Sequence, residues 1–103
     1  MAKVVESANQ LHLKLSVLEK IFALHGDIWV DKSLLTKKIM VENPWRREVI
    51  KGLRAPGAAI PFVILLGTMR YRGGKDFTAI YNRKAVDIYE FKDSAYKRWI
   101  VTN

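Results

Sequence analysis

Cysteine is absent from the 103-residue chain. That excludes a disulfide scaffold, a thiolate zinc site, an iron–sulfur cluster and a cysteine nucleophile. Histidine is scarce too: His12 and His25 stand alone, with no HxxH or HxxxH pairing, so no metal and no other cofactor is expected. The four serines, Ser7, Ser16, Ser33 and Ser94, sit in cap, turn or terminal contexts and none lies in a GxSxG elbow. With no nucleophile–base pair to name, the sequence reads as a non-enzyme. Long apolar runs are missing, the longest being the seven residues Ile60–Leu66, against the roughly 20 that span a bilayer. Lys3, Glu6, His12 and Lys14 break up the first sixteen residues, which therefore lack the apolar region of a secretion signal. The expectation is a protein without a transmembrane segment, in the cytoplasm.

Acidic residues are also in short supply. Ten Asp and Glu face eighteen Lys and Arg, a net charge of +8, which points to an anionic partner or to solubility alone. Half the residues are hydrophobic, enough for a chain of this length to bury a core as one domain over residues 1–103, with residues 1–9 expected as a flexible N-terminus.

Leu11, Leu13 and Leu15 alternate with His12 and Lys14, the pattern of a half-buried strand. Ser16 and Glu19 form a capping box that opens a short helix, whose apolar stripe is Leu18, Ile21, Phe22 and Leu24, and His25-Gly26 is expected to end it. Strands are predicted over 27–30 and 35–41, then a second short helix from Asn43-Pro44 to Gly52 and a loop over Gly52–Ala59. A long strand follows from Ile60 to Tyr71, with a turn at Arg72–Asp76. Strands around 77–81 and 86–89 are read as a hairpin pair, and a last strand at 99–101 ends the chain. This gives a mainly β fold: about seven antiparallel strands and two short helices in a sandwich or barrel. Trp99–Thr102 reads as an open sheet edge that invites pairing into a homo-oligomer.

The segment Gly67–Asp76 faintly resembles a phosphate-binding P-loop. Its glycine spacing is wrong, Asp76 stands where a Ser or Thr must hold magnesium, and strand rather than helix follows. Between Glu48 and Asp76 no acidic residue occurs, while Lys51, Arg54, Arg70, Arg72 and Lys75 all fall inside. If the Gly52–Ile60 loop meets the Arg72–Asp76 turn, these five form one cationic surface for an anionic ligand or protein, scaffolded by Gly52, Pro56, Gly57, Gly73 and Gly74. Ordinary solvated charge is the competing account. Nucleic acid is the alternative partner, with Tyr71, Trp45 and Trp99 beside arginines as stacking candidates, although no helix-turn-helix, RRM, KH or zinc-finger motif is present.

Four motifs in order, Leu18–Ile28, Gly52–Gly57 followed by Ile60-Pro61, Leu66-Gly67-Thr68, and Gly73–Phe77, resemble those of a family of small uncharacterised bacterial proteins with the patterns LEKLEALHGDI, GLRAPGTGIPG, ALGT and GGKDF. That family is similar to bacterial pleckstrin-homology-like domains. The resemblance implies a seven-stranded barrel or sandwich and a binding or scaffolding module without an assigned reaction. The chain departs from the pattern at Asp31-Lys32-Ser33, at Ala58-Ala59, and at Phe62, which occupies a glycine position.

Overall fold

In the computed structural model, residues 2–46, 49–51 and 53–103 are described, with the backbone alone at 53–58. The chain is mainly β. Its strands are β1 (Lys3–Glu6), β2 (Gln10–Lys14), β3 (Ile28–Asp31), β4 (Leu35–Val41), β5 (Leu53–Ile60), β6 (Ile64–Tyr71), β7 (Gly74–Tyr81), β8 (Val86–Phe91) and β9 (Arg98–Thr102). One α-helix, α1 (Val17–Ala23), stands between β2 and β3. No described helix is long and apolar enough to cross a membrane. The strands form two open sheets, β1-β2-β3 and β4-β8-β9-β7-β6-β5, so among the described residues the barrel form of the expectation is not realised.

The two sheets pack face to face. Leu11, Leu13 and Val30 of the small sheet, with Leu15 just beyond β2, meet Leu66, Phe77, Ala79, Trp99 and Val101 of the large one. The residues in between alternate outward, as a pleated strand requires. The other face of the large sheet carries Leu65, Met69, Ile80, Ile88 and Ile100, covered in part by Trp45, Val49 and Ile50.

Several elements differ from the sequence reading. The N-terminal segment is not a free tail: β1 pairs with β2, Lys3 opposite Lys14, and Ala2 is buried. The expected loop over Gly52–Ala59 is largely strand β5, on an edge of the large sheet. Its register against β6 shifts between Arg54 and Gly57, which takes Ala55-Pro56 out of the regular ladder. An edge strand with such an irregularity tolerates proline because no ladder bond needs its missing N–H. The long strand from Ile60 breaks at residues 61–63 into β5 and β6.

The second helix is absent among the described residues. The side chain of Asn43 does accept from the Trp45 N–H, as a cap would, but one turn follows, in which the Val49 and Ile50 N–H groups both donate to the Arg46 carbonyl. The Trp45 ring explains the arrest: its N–H donates to the Asn82 carbonyl at 2.6 Å, which fixes the segment to the end of the large sheet.

β7 and β8 do not form a hairpin. β9 lies between them, parallel to β7 and antiparallel to β8, and all five of its residues are buried. Trp99–Thr102 is therefore a central strand, and the sheet edge proposed there for self-association does not exist. Arg98–Thr102 shows no apolar/polar alternation because both its faces are covered.

The helix α1 begins as the capping box requires: the Ser16 hydroxyl accepts from the Glu19 N–H, and Glu19 accepts from the Ser16 N–H. Its rotation is the reverse of the expected one. Glu19 and Ala23 are buried, whereas Leu18 is 65% and Phe22 53% exposed, and Val17, Ile21 and Leu24 also face out. Glu19 decides this, because its carboxylate also accepts from the Ala2 N–H at 2.6 Å and from the Tyr81 hydroxyl. The left-handed residue that closes α1 is Leu24, at φ 52°, rather than Gly26.

Burial alone would raise the Glu19 pKa, but the bonds from Ser16, Tyr81 and Ala2 outweigh it and hold the group below its ordinary 4.5. The sign follows directly. A depressed folded-state pKa contributes stability above the unfolded value and loses it as pH falls through the folded one. Glu19→Gln should therefore be less stable at neutral pH, by about 1–3 kcal/mol for a buried charge-assisted network. It should also lose less on acidification below about pH 4.5 than the parent does. Thermal unfolding followed across that range checks both, and parallel acid limbs would exclude the assignment.

Phe62, at the position where the resembled family has glycine, adopts φ 64°. Its ring lies 5.5 Å from that of Trp45 and 4.8 Å from the Arg83 guanidinium. A side chain in the left-handed region costs about 1–2 kcal/mol, which glycine does not incur. Phe62→Gly should thus be more stable than Phe62→Ala, by about 1 kcal/mol, since both lose the ring contacts and only alanine retains the strain. Urea midpoints in the reverse order would show that the backbone relaxes out of this conformation.

Candidate functional site

The cations singled out from the sequence gather at one end of the large sheet. β6 and β7 are joined by the two residues Arg72-Gly73, with Tyr71 opposite Gly74 and Arg70 opposite Lys75. Gly73 supplies the positive φ of 101° that closes so short a turn. On the other side of β6, Leu53 is opposite Arg70, so the start of β5 lies beside the same hairpin. The backbone thus brings the start of β5 beside the Arg72-Gly73 turn, whereas its other end, Ile60, lies opposite Ile64 at the far end of the sheet; the expected turn residues 74–76 belong to β7. Gly52 lies outside the described residues, as do the side chains of Arg54 and Pro56; Gly57 is placed only by its register opposite Gly67. The strand–turn–strand geometry leaves no place for a P-loop at 67–76.

The described cations are divided between the two faces of the sheet. Successive strand residues point to opposite faces, so Tyr71 and Arg70 diverge. The Lys51 amine lies 5.8 Å from the centroid of the Tyr71 ring, on the face that carries Met69 and Ile80. The Lys75 amine lies 4.7 Å over the Tyr96 ring, on the opposite face, where the Tyr96 hydroxyl meets that of Thr68 at 2.8 Å. Arg72 is exposed at the tip. The Lys97 side chain packs over Gly74, where a Cβ would come within 2.6 Å of it and require it to move aside.

Beneath Lys51 lies a buried polar network that the sequence reading missed. The Arg98 guanidinium donates from Nε at 3.0 Å and from Nη2 at 2.6 Å to one oxygen of Asp76, and from Nη2 to the Val49 carbonyl at 2.8 Å. The other Asp76 oxygen accepts from the Tyr71 hydroxyl at 2.7 Å. Burial, together with the adjacent Asp76, pushes the Tyr71 pKa up to about 12. Asp76 is wholly buried, so the one carboxylate of this hairpin neutralises Arg98 and not the surface cations. The alternation Asp76, Thr78, Ile80 could have placed the aspartate inward; what it could not supply was Arg98, which arrives from 22 residues away.

On this face the sheet and the 46–51 segment enclose a cleft of about 310 Å³. Arg46, Lys51 and Arg98 line it together with Glu90, and Ile39, Val41, Val49 and Ile88 supply its apolar surface. Among the described residues no group of three or more His, Asp or Glu could hold a metal ion.

Fold and site together define a mainly β, two-sheet domain with a cationic cleft. Comparison of the chain with protein-family models, with curated proteins and with solved structures finds no match in any of the three.

Proposed function

We propose that the chain is a binding module, not an enzyme, and that it recognises an anionic ligand or an anionic patch of a partner protein at the hairpin end of the large sheet. The observation that carries this reading is the cleft in which Lys51 joins Arg46 over an apolar floor, with Glu90 as its acidic lining residue, while the Asp76 carboxylate is committed to Arg98 and Tyr71 beneath it. Arg72 at the tip and Lys75 on the far face extend the positive field around that end. The likeness to bacterial pleckstrin-homology-like domains belongs to the same proposal. It rests on the four sequence motifs alone.

The alternative partner, nucleic acid, would need exposed aromatic platforms. Trp99 is buried, the Trp45 ring N–H is tied to Asn82 and the Tyr71 hydroxyl to Asp76, so the three aromatics read from the sequence as stacking platforms are committed within the fold. Titration with inorganic tripolyphosphate tests the proposal. Binding should weaken as salt rises and fall at least about tenfold, roughly 1.4 kcal/mol, when Lys51→Glu and Arg72→Glu are combined. Both side chains are exposed, so the unfolding midpoint should stay near the parent's. Equal affinity in parent and double variant would remove this surface from consideration.

A further inference from the structure

A cleft of about 540 Å³ lies apart from the one lined by Arg46 and Lys51. Ile28, Trp29, Val30 and Asp31, all four residues of β3, line it. Successive strand residues face opposite sides of a sheet, so a cleft that touches all four must run along the edge of the strand. β2 occupies one edge of β3, and the cleft is the other. Its far wall is formed by residues 93–96 and by Lys75.

The backbone polarity of that edge follows from the register. The Lys32 N–H donates to the Asn9 carbonyl, in step with the pairs Asp31 opposite Gln10 and Val30 opposite Leu11. Antiparallel pairs alternate between bonded and non-bonded, so Val30 and Ile28 bond to β2 and the N–H groups of Trp29 and Asp31 point into the cleft. Outward amides of this kind are a template for a further strand.

Charge indicates what would sit there. Although the chain carries +8, Asp31 and Asp93 border this cleft and neither makes an ion pair or side-chain hydrogen bond among the described residues. We propose that the free edge of β3 takes up an extended basic peptide segment as a fourth strand of the small sheet, with Asp31 and Asp93 receiving its lysine or arginine side chains. The four residues of β3 offer about 13 Å of edge. That length seats a short peptide, whereas a stable dimer needs roughly 800 Å² of buried surface per partner, about 20–30 residues a side, so four residues of edge make a second copy of the chain the poorer fit. The inference does not rest on the anionic-ligand reading, whose cleft is lined by Lys51 and Arg46; the two surfaces share Lys75 alone of the cations named there.

The test is a titration of the isotopically labelled chain with a short blocked peptide of alternating valine and lysine, followed by amide chemical shifts. Shifts should concentrate at residues 28–31 and 93–96, and the same peptide with glutamate for lysine should produce none. Asp31→Asn removes the charge and should weaken binding several-fold. Asp31→Pro also removes the edge N–H, at a φ of −67° that proline adopts without strain, and should abolish binding or weaken it at least about tenfold. Unmoved β3 amides, equal response to the glutamate peptide, or parent-like binding by a folded Asp31→Pro variant would each overturn the proposal. So would a parent dimer that Asp31→Pro dissociates, which would make a second copy the occupant.

Discussion

Replacing Arg98 by methionine is expected to destabilise the domain by about 3–5 kcal/mol, because it leaves the Asp76 carboxylate buried with its charge unpaired. Asp76 is 0% exposed and Arg98 9%, so water cannot take over the lost bonds. The substitution also orphans the Val49 carbonyl, which holds the 46–51 segment against the sheet. A domain of this size has a total stability of about 5–15 kcal/mol, so the loss would be a large part of it. Adding Asp76→Leu to Arg98→Met should recover much of the deficit, since an apolar pair often equals a buried ion pair in stability. Urea denaturation of the three proteins measures both steps. A single variant within about 1 kcal/mol of the parent would mean that the pair is hydrated in solution.

Trp99→Ala should cost about as much, 3–5 kcal/mol, for a different reason. The indole is 1% exposed at the centre of the large sheet, with the Phe91 ring centroid at 4.7 Å and that of Tyr89 at 6.3 Å. Its removal opens a cavity that the strands on either side of β9 cannot close without breaking their ladders. Phe22→Ser is the matched contrast. Phe22 looks like core in the sequence, yet it is mostly exposed, so this change should stay within about 0.5 kcal/mol of the parent. Comparable losses for the two would show that α1 is rotated in solution so that its apolar stripe is covered.

Elements written in neighbouring residues were legible. The alternation of Leu11 and Leu13 with His12 and Lys14 produces β2, Ser16 and Glu19 produce the capping box, and the turn read over Arg72–Asp76 is present but confined to Arg72-Gly73, residues 74–76 being strand. The candidate site was legible in part. The absence of acid between Glu48 and Asp76 brought Lys51, Arg72 and Lys75 into view, and the register of β5 against β6 does place its ends together. What was hidden were partners from far along the chain: Arg98 for Asp76, Tyr81 and Ala2 for Glu19, Asn82 for Trp45. Gly52–Ala59 read as a loop because glycine, proline and alanine have low strand propensity, yet β6 offered an edge whose N–H and C=O groups a strand could satisfy.

The scarcities that mark the sequence, no cysteine, two histidines and few acids, determine by themselves that thiol chemistry is excluded and that the chain is strongly basic. Local pattern determines where most strands and the one helix begin. The tertiary structure alone decides that the last strand lies at the centre of the sheet, that α1 turns its apolar stripe outward, and that the cations are divided between two faces. The physical reason is common to all three. Strand order, helix rotation and the facing of a side chain are set by hydrogen bonds and burial between residues distant in sequence, and composition and periodicity carry no record of those partners.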